Sequence, residues 1–127
     1  MIGYATVGSN DLDKAMAFYD EILAVMGLKP GFDHPRGGRM YVSDAGEFTF
    51  GVLAPFDGET ATVGNGQMVA LKADSTEQIR NVHAKALELG GADEGAPDWR
   101  GDPGGFYGAY FRDLDGNKLC AFRMGPE

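Results

Sequence analysis

The sequence contains one cysteine in 127 residues. A single thiol excludes an internal disulfide and favours a reducing compartment. No apolar run is long enough to cross a bilayer, and the N-terminus lacks the basic flank and apolar core of a signal peptide. We therefore expect a cytoplasmic protein with no membrane partner.

Positive charge is also scarce, with 11 Lys and Arg residues against 19 Asp and Glu residues and a formal net charge of −8. Nucleic acids and anionic membranes select surfaces rich in Lys and Arg. The composition therefore argues against a nucleic-acid partner. Histidine is limited to His34 and His83, which restricts imidazole chemistry to two positions.

The clearest positive feature is a repeat. A strand-like stretch over residues 2–8 leads into an amphipathic segment from Asn10 to Gly27, and residues 67–73 lead into a second such segment from Asp74 to Gly90. Strand-like runs follow both segments. A repeat of this length indicates two copies of one supersecondary unit, and paired sheets often enclose a ligand pocket.

Helix boundaries are marked by capping residues. Asn10 is predicted to cap the first helix, and Ser75 with Gln78 matches a capping box at the start of the second. Gly27 and the Gly90-Gly91 pair are typical of helix ends. We therefore predict one helix in each half of the chain.

Strands are predicted after each helix. Alternating apolar residues and turn signals predict strands at 39–43, 47–53, 106–112 and 117–124, with weaker strands near 29–34 and 92–96 and a Gly/Pro-rich loop over 95–105. The predicted fold is α+β, with two βαβββ modules in a single domain. Module one covers residues 1–56, a connection covers 57–66, and module two covers 67–127.

Two motifs resemble a known family. The segment from Asn10 to Tyr19, Asn-Asp-Leu-Asp-Lys-Ala-Met-Ala-Phe-Tyr, resembles a helix start of the vicinal-oxygen-chelate superfamily. The segment Arg112-Asp-Leu-Asp-Gly-Asn-Lys118 is similar to that superfamily's DPDGN hairpin, with Leu114 in place of Pro. The superfamily includes glyoxalase I, bleomycin-resistance and fosfomycin-resistance proteins, and extradiol dioxygenases. The resemblance implies that the sheets curve into a cup with the helices outside, often completed by a homodimer.

The resemblance also implies where a divalent metal would bind. The four ligand positions of the superfamily fall at Tyr4, Gly51, Met68 and Cys120. None of these residues has the carboxylate or imidazole that such ions prefer. A shift by one residue would move each side chain to the opposite face of its strand. We therefore predict no metal and no other cofactor.

The catalytic residues stay unknown, with Cys120 and His34 as candidates for nucleophile, acid or base. Cys120 is either a nucleophile or a small buried apolar residue, since an active thiolate needs a neighbouring cation or histidine. His34 lies in a loop near arginines and is either an acid/base group or a solvent-exposed residue. His83 is interpreted as structural, because a helix outside the sheet cannot readily point a side chain into the cup.

Polar and aromatic residues on the strands are candidate ligand contacts. Arg39 with Tyr41, and Tyr110 with Arg112, share strand faces that could line the cup and orient an anionic or oxygen-rich ligand. The alternative is cross-strand packing, with Arg112 paired to the Asp113/Asp115 turn.

Trp99, Phe106 and Tyr107 could form an aromatic lid over a ligand, and a dimer contact is an equally good use of them. The predicted ligand contacts are therefore Tyr4, Arg39, Tyr41, Met68, Trp99, Tyr110 and Cys120.

Three functions are consistent with these residues. The first is a bleomycin-resistance-like protein that binds a small organic molecule in the cup without metal. The second is a lactoylglutathione-lyase-like enzyme, or another lyase or isomerase, with displaced or no metal ligands, so whether the protein is an enzyme stays open. The third is a structural or regulatory dimer whose pocket is filled by Tyr4, Met68 and Phe122.

Overall fold

The computed structural model describes all residues from 1 to 127 and contains two helices and eight strands. In chain order these are β1 Ala5–Gly8, α1 Leu12–Val25, β2 Lys29–Asp33, β3 Gly38–Val42, β4 Phe48–Leu53, β5 Val69–Lys72, α2 Thr76–Glu88, β6 Ala92–Trp99, β7 Phe106–Arg112 and β8 Lys118–Met124. Each half is a βαβββ module, and the predicted α+β class is confirmed. No helix has the combination of length and apolar character needed to span a membrane.

The strands form two four-stranded mixed sheets that repeat one topology. Sheet A has the order β1-β4-β3-β2, and sheet B has the order β5-β8-β7-β6. β1 runs parallel to β4 and β5 runs parallel to β8, and the remaining strand pairs are antiparallel. The two sheets are separate, since no strand of one pairs with a strand of the other, and β1 and β5 each lie at the end of their own sheet.

Both helices begin at a side-chain cap, but the first cap differs from the predicted one. Asp11, not Asn10, accepts a hydrogen bond from the backbone N–H of Lys14 at 3.2 Å. Asn10 instead bonds through its side-chain amide to the backbone N–H and carbonyl of Ala61, which fixes the connection between the modules against the start of α1. Ser75 caps α2 as predicted.

The helices bury equivalent faces against the sheets. Ala15, Phe18, Tyr19 and Ile22 of α1 are buried, as are Ile79, Val82, His83 and Ala86 of α2. These apolar residues belong to one continuous core with inward-facing residues of β3, β4, β5, β7 and β8. The hydrophobic effect therefore holds both modules in one body.

Polar bonds also join the two modules. The Tyr19 hydroxyl on α1 donates to Asp113 Oδ2 in the β7–β8 turn at 2.5 Å, and both residues are buried. Asn117 Nδ2 in the same turn donates to the Gly8 carbonyl of β1 at 2.9 Å. The two motifs that carry the family resemblance therefore meet in space.

Three predicted boundaries are wrong in detail. β1 begins at Ala5, not at residue 2, and β5 covers only Val69–Lys72. The segment from Gly95 to Trp99, predicted as loop, belongs to β6. It pairs with β7 through two register irregularities, so its glycine and proline are accommodated at a bulged edge strand.

Candidate functional site

Each sheet has one side packed on a helix and one side turned away from it, which we call the open face. Phe50 and Val52 of β4 are fully buried in the core, so the alternation of the strand places Gly51 between them on the open face. In sheet B, Leu119 and Ala121 are core residues, and Cys120 between them lies on the open face.

The four positions to which the family resemblance assigns metal ligands all lie on or beside the open faces. Tyr4 and Met68 precede β1 and β5 and are 57% and 44% exposed. Gly51 is aligned with Thr6 of β1, and Cys120 with Ala70 of β5. The four positions are therefore on or next to the parallel strand pairs, β1 with β4 and β5 with β8.

The residues at these positions do not fit a divalent ion. They offer a phenol, a thioether, a thiol and, at Gly51, no side chain at all. Met40 further occupies the space above Gly51, because a Cβ added there would overlap the Met40 sulfur. No group of three or more His, Cys, Asp or Glu side chains is arranged to hold a metal. Divalent ions are held by several carboxylate, imidazole or thiolate donors, and of these four residues only Cys120 could supply one.

Cys120 is enclosed by its own sheet. It is 1% exposed and aligned with Tyr110 of β7 across the open face. Burial raises the pKa of the thiol, against smaller lowering effects from Tyr110, Arg100 and Lys118. The neutral thiol is therefore the favoured form, and a thiol is a much weaker nucleophile than a thiolate.

Two clefts flank the gap between β1 and β5. One has a volume of about 440 Å³ and includes Thr6, Gln67, Met68 and Lys118 in its lining. The other is about 320 Å³, mostly apolar, and includes Tyr4. Tyr4 and Met68 thus line neighbouring clefts rather than a common one.

Arg39 and Tyr41 do not line an open face, in contrast to the expectation. Both point towards α1, where Arg39 Nη1 and the Tyr41 hydroxyl each donate to Asp20 at 2.7 Å. Arg39 also binds Asp33, whose pKa is lowered by that hydrogen bond. Burial and Asp20 raise the pKa of Tyr41. These residues attach α1 to sheet A.

The three aromatic residues considered as a lid do not share one face of the sheet, because β7 places consecutive residues on opposite faces. Trp99 meets Tyr107 edge-to-face at 5.1 Å and packs against the core on the helix side. Phe106 lies on the open face and stacks on Phe122, with ring centroids 5.5 Å apart. Only Phe106 of the three is therefore available at the open face.

The histidines have structural partners. His34 Nδ1 accepts from the backbone N–H of Arg36 in the β2–β3 loop. His83 is 6% exposed on α2 and bonds to Asp93 Oδ1 at 3.0 Å. Neither histidine lines the two clefts between β1 and β5.

Arg112 does not pair with the neighbouring turn carboxylates. It donates to Glu94 at 2.5 Å and to the Gly116 carbonyl at 2.9 Å.

Two residues that sequence reasoning missed are prominent on the open face of sheet B. Lys118 Nζ and the Arg100 guanidinium lie 5.5 Å and 5.3 Å from the centre of the Tyr110 ring. Lys118 could have been found, because it lies two residues before Cys120 on the same strand and so on the same face. Arg100 follows an irregular strand, and no sequence signal places it there.

Comparison with solved structures agrees with this architecture. A glyoxalase/bleomycin resistance protein from Albidiferax ferrireducens T118 is 38% identical, with a TM-score of 0.85 over 96% of this chain and 97% of that one. Hypothetical protein SA1046 from S. aureus is 25% identical with a TM-score of 0.70, covering 96% of this chain and 94% of that one. A lactoylglutathione lyase from Agrobacterium tumefaciens shares the fold at 21% identity and a TM-score of 0.66, over 96% and 92% of the two chains.

Among functionally curated proteins, no sequence matches this chain significantly. A family model does match, over residues 1–121. This match covers most of the chain, and the fold agrees with that of the relative from Albidiferax ferrireducens. The chain therefore belongs to the Glyoxalase/Bleomycin resistance protein/Dioxygenase superfamily.

Proposed function

We propose that this protein binds a small organic molecule at the open faces of its sheets and does so without a metal. The observation that carries the proposal is the set of groups at the four positions: Gly51 has no side chain, and the Met40 sulfur lies where a side chain at position 51 would begin. The other three positions supply a phenol, a thioether and a buried thiol. The superfamily fold is kept while the usual donor set is replaced.

The clefts support binding of a small molecule. Their volumes, about 440 and 320 Å³, are in the range of small-molecule sites, which is roughly 300–1,000 Å³. One cleft offers polar groups from Thr6, Gln67 and Lys118, and the other is mainly apolar. Such a combination suits a ligand with an apolar body and a few polar groups.

Metal analysis tests the first half of the proposal. We expect protein purified without chelators to hold far less than one equivalent of zinc, nickel or manganese, and added ions to leave its melting temperature unchanged. The comparison variant carries Tyr4→His, Gly51→Glu, Met68→His and Cys120→Glu, with and without Met40→Ala. If the fourfold variant binds metal only when it also carries Met40→Ala, the Met40 side chain is what blocks a ligand at position 51. Stoichiometric metal in the wild type would refute the proposal.

An assay of lyase activity is a second test. We expect no turnover of the methylglyoxal–glutathione adduct, because the positions that would hold a metal lack suitable donors. The double variant Tyr4→His with Cys120→Glu restores only two of the four positions and should also be inactive. Metal-dependent turnover by either protein would favour the enzyme hypothesis instead.

We further propose that a second copy of the chain covers the open faces. Large apolar side chains are exposed there or at their rims, with Ile2 86%, Tyr4 57%, Phe48 48%, Phe32 44% and Met68 44% accessible. Clustered exposed apolar residues mark interaction sites more often than free surface. A homodimer would cover them and enclose the clefts.

Sedimentation of the wild type and two matched variants tests the dimer. Phe48→Asp should shift the protein towards monomer, because it places a charge in the proposed contact. Phe56→Asp serves as the control, since Phe56 is 84% exposed in the connection and stacks with Arg36. A monomeric wild type, or equal effects of the two variants, would refute this interface.

A further inference from the structure

The open faces of the two sheets differ in charge. Apart from Arg39, which points towards α1, strands β1, β3 and β4 contain no charged residue. The corresponding strands of sheet B place Lys72, Arg112 and Lys118 on the open face, beside Arg100. This concentration of positive charge occurs in a chain with a net charge of −8.

Most of these cations lack a carboxylate partner. Ion pairs with carboxylates elsewhere involve Lys14, Arg39, Lys85 and Arg123, and on this face Arg112 pairs with Glu94. Lys72, Arg100 and Lys118 form no ion pair, and Arg100 instead donates to the carbonyls of Ala96 and Gly108. Their charge is therefore available to an external anion.

Arg100 and Lys118 lie against the same aromatic ring. Both lie within 6 Å of the centre of the Tyr110 ring, and that ring is next to Cys120 near the middle of the face. Lys118 also lines a cleft of about 550 Å³ together with Arg112, Gln67 and Met68. Lys118 is thus a cation without an ion pair at the cleft, and such a cation suits a carboxylate or similar group.

An apolar surface lies beside the cations on the same face. The rings of Phe106 and Phe122 are parallel, with an angle of 4° between them, and both are half-buried. Phe122 is aligned with Lys72, and the Met68 side chain precedes the same strand β5. A ligand could place an aromatic or aliphatic body here while its anionic group reaches Lys118.

We infer that the open face of sheet B binds apolar organic anions, with Lys118 binding the anionic group and Arg100 contributing further positive charge at the Tyr110 ring. The inference rests on the proposed small-molecule function and narrows it to one class of ligand. Sheet A, which lacks charge on the equivalent strands, supplies at most apolar contacts. The anion is defined by its chemistry, an aromatic or aliphatic acid.

Calorimetric titration with a matched pair of probes tests this inference. 2-Naphthoate carries the anionic group, and 2-naphthamide has nearly the same shape without charge. We expect the wild type to bind naphthoate about tenfold more tightly than naphthamide, and added salt to weaken only naphthoate. Lys118→Gln and Arg100→Gln should each weaken naphthoate binding by a factor of about three to ten and leave naphthamide unchanged.

Arg80→Gln is the control, because it removes the same charge from an exposed position on α2. Melting curves of all variants establish that they fold. Equal affinity for the two probes, or an equal effect of Arg80→Gln and Lys118→Gln, would overturn the inference and leave small-molecule binding intact. Absence of saturable binding for both probes would overturn the proposed function as well.

Discussion

The two helices bury the same pattern of apolar residues, but each also buries a polar side chain, Tyr19 on α1 and His83 on α2, and these two make different contacts. Tyr19 and His83 each lie eight residues after the capping residue of their helix, and both are buried. Tyr19 reaches across to Asp113 in the other module, whereas His83 bonds to Asp93 within its own. The repeated topology therefore does not give a symmetric protein, since only module one sends a buried side chain into the turn of its neighbour.

The hairpin turns show the same difference. Ser43 and Asp113 begin turns with matching backbone bonds, in which each N–H meets the carbonyl four residues later and each carbonyl accepts from a glycine three residues later. Asp113 is buried and accepts from the Tyr19 hydroxyl, two backbone N–H groups and Asn117 Nδ2. Ser43 is half-buried, and its side-chain hydroxyl accepts a hydrogen bond only from the backbone N–H of Glu47.

These comparisons indicate which positions the fold constrains. Residues that face the helices repeat as an apolar pattern because both modules must bury the same surface. Residues in turns and on open faces have no such requirement and have diverged between the modules. The hydrogen bond from Tyr19 to Asp113 involves such a turn, and the cationic surface lies on such an open face.

Removal of the Asp113 carboxylate should have the largest effect on stability. Asp113→Ala leaves buried donors without an acceptor, and we expect it to lower the free energy of unfolding by about 3–4 kcal/mol. The matched variant Ser43→Ala should cost only about 0.5–1 kcal/mol, because one partly exposed bond is lost. Urea denaturation of both variants measures the difference. Similar losses would show that the two turns have equal roles.

A smaller effect is expected from removal of the Tyr19 hydroxyl alone. Tyr19→Phe should cost about 1.5–3 kcal/mol, since it breaks a buried bond to a carboxylate. Tyr41→Phe is the control, because its acceptor Asp20 is 37% exposed and water can replace the lost donor. The ratio of the two losses, again from urea denaturation, tests whether the contact between modules is the stronger one.

The pH dependence of stability should report the same contact. Burial, and then Asp113, raise the pKa of Tyr19 in the folded protein. The unfolded chain loses this proton near pH 10 while the folded chain keeps it, so stability should fall as pH rises above about 10. Melting temperatures between pH 8 and 11 measure the decline, and Tyr19→Phe should make it shallower. An identical slope in that variant would count against this origin.

The helix caps should give the smallest and most similar effects. Asp11→Ala and Ser75→Ala each remove a bond to a backbone N–H near the helix start, at 3.2 and 3.1 Å. We expect each to cost about 1 kcal/mol in urea denaturation. A large difference between them would show that the equivalence of the helices does not extend to their first turns.

Much of the fold could be predicted because it depends on local patterns. The periodicity around Ile22 and Val82, the caps and the alternation in β4 and β7 each follow from residues close in sequence. Errors occurred where a competing contact decided the outcome. Asn10 is a good capping residue, yet it bonds to Ala61, which lies 51 residues away.

The candidate site was less predictable for a related reason. Alternation correctly grouped Arg39 with Tyr41, but it could not tell which of the two faces meets the helix. Asp20 on α1 binds both side chains and so places the pair on the helix side. The convergence of Arg100 and Lys118 on Tyr110 depends on the bulged path of β6 and was not foreseen.

The amino-acid sequence by itself determined the repeat and the order of helices and strands, because these depend on residue identity and short-range spacing. Only the tertiary structure decided which faces are open, that Met40 covers Gly51, and that Tyr19 joins the modules through Asp113. Those features require residues distant in sequence to approach within a few ångströms. Packing of the whole chain, rather than any local preference, fixes such distances.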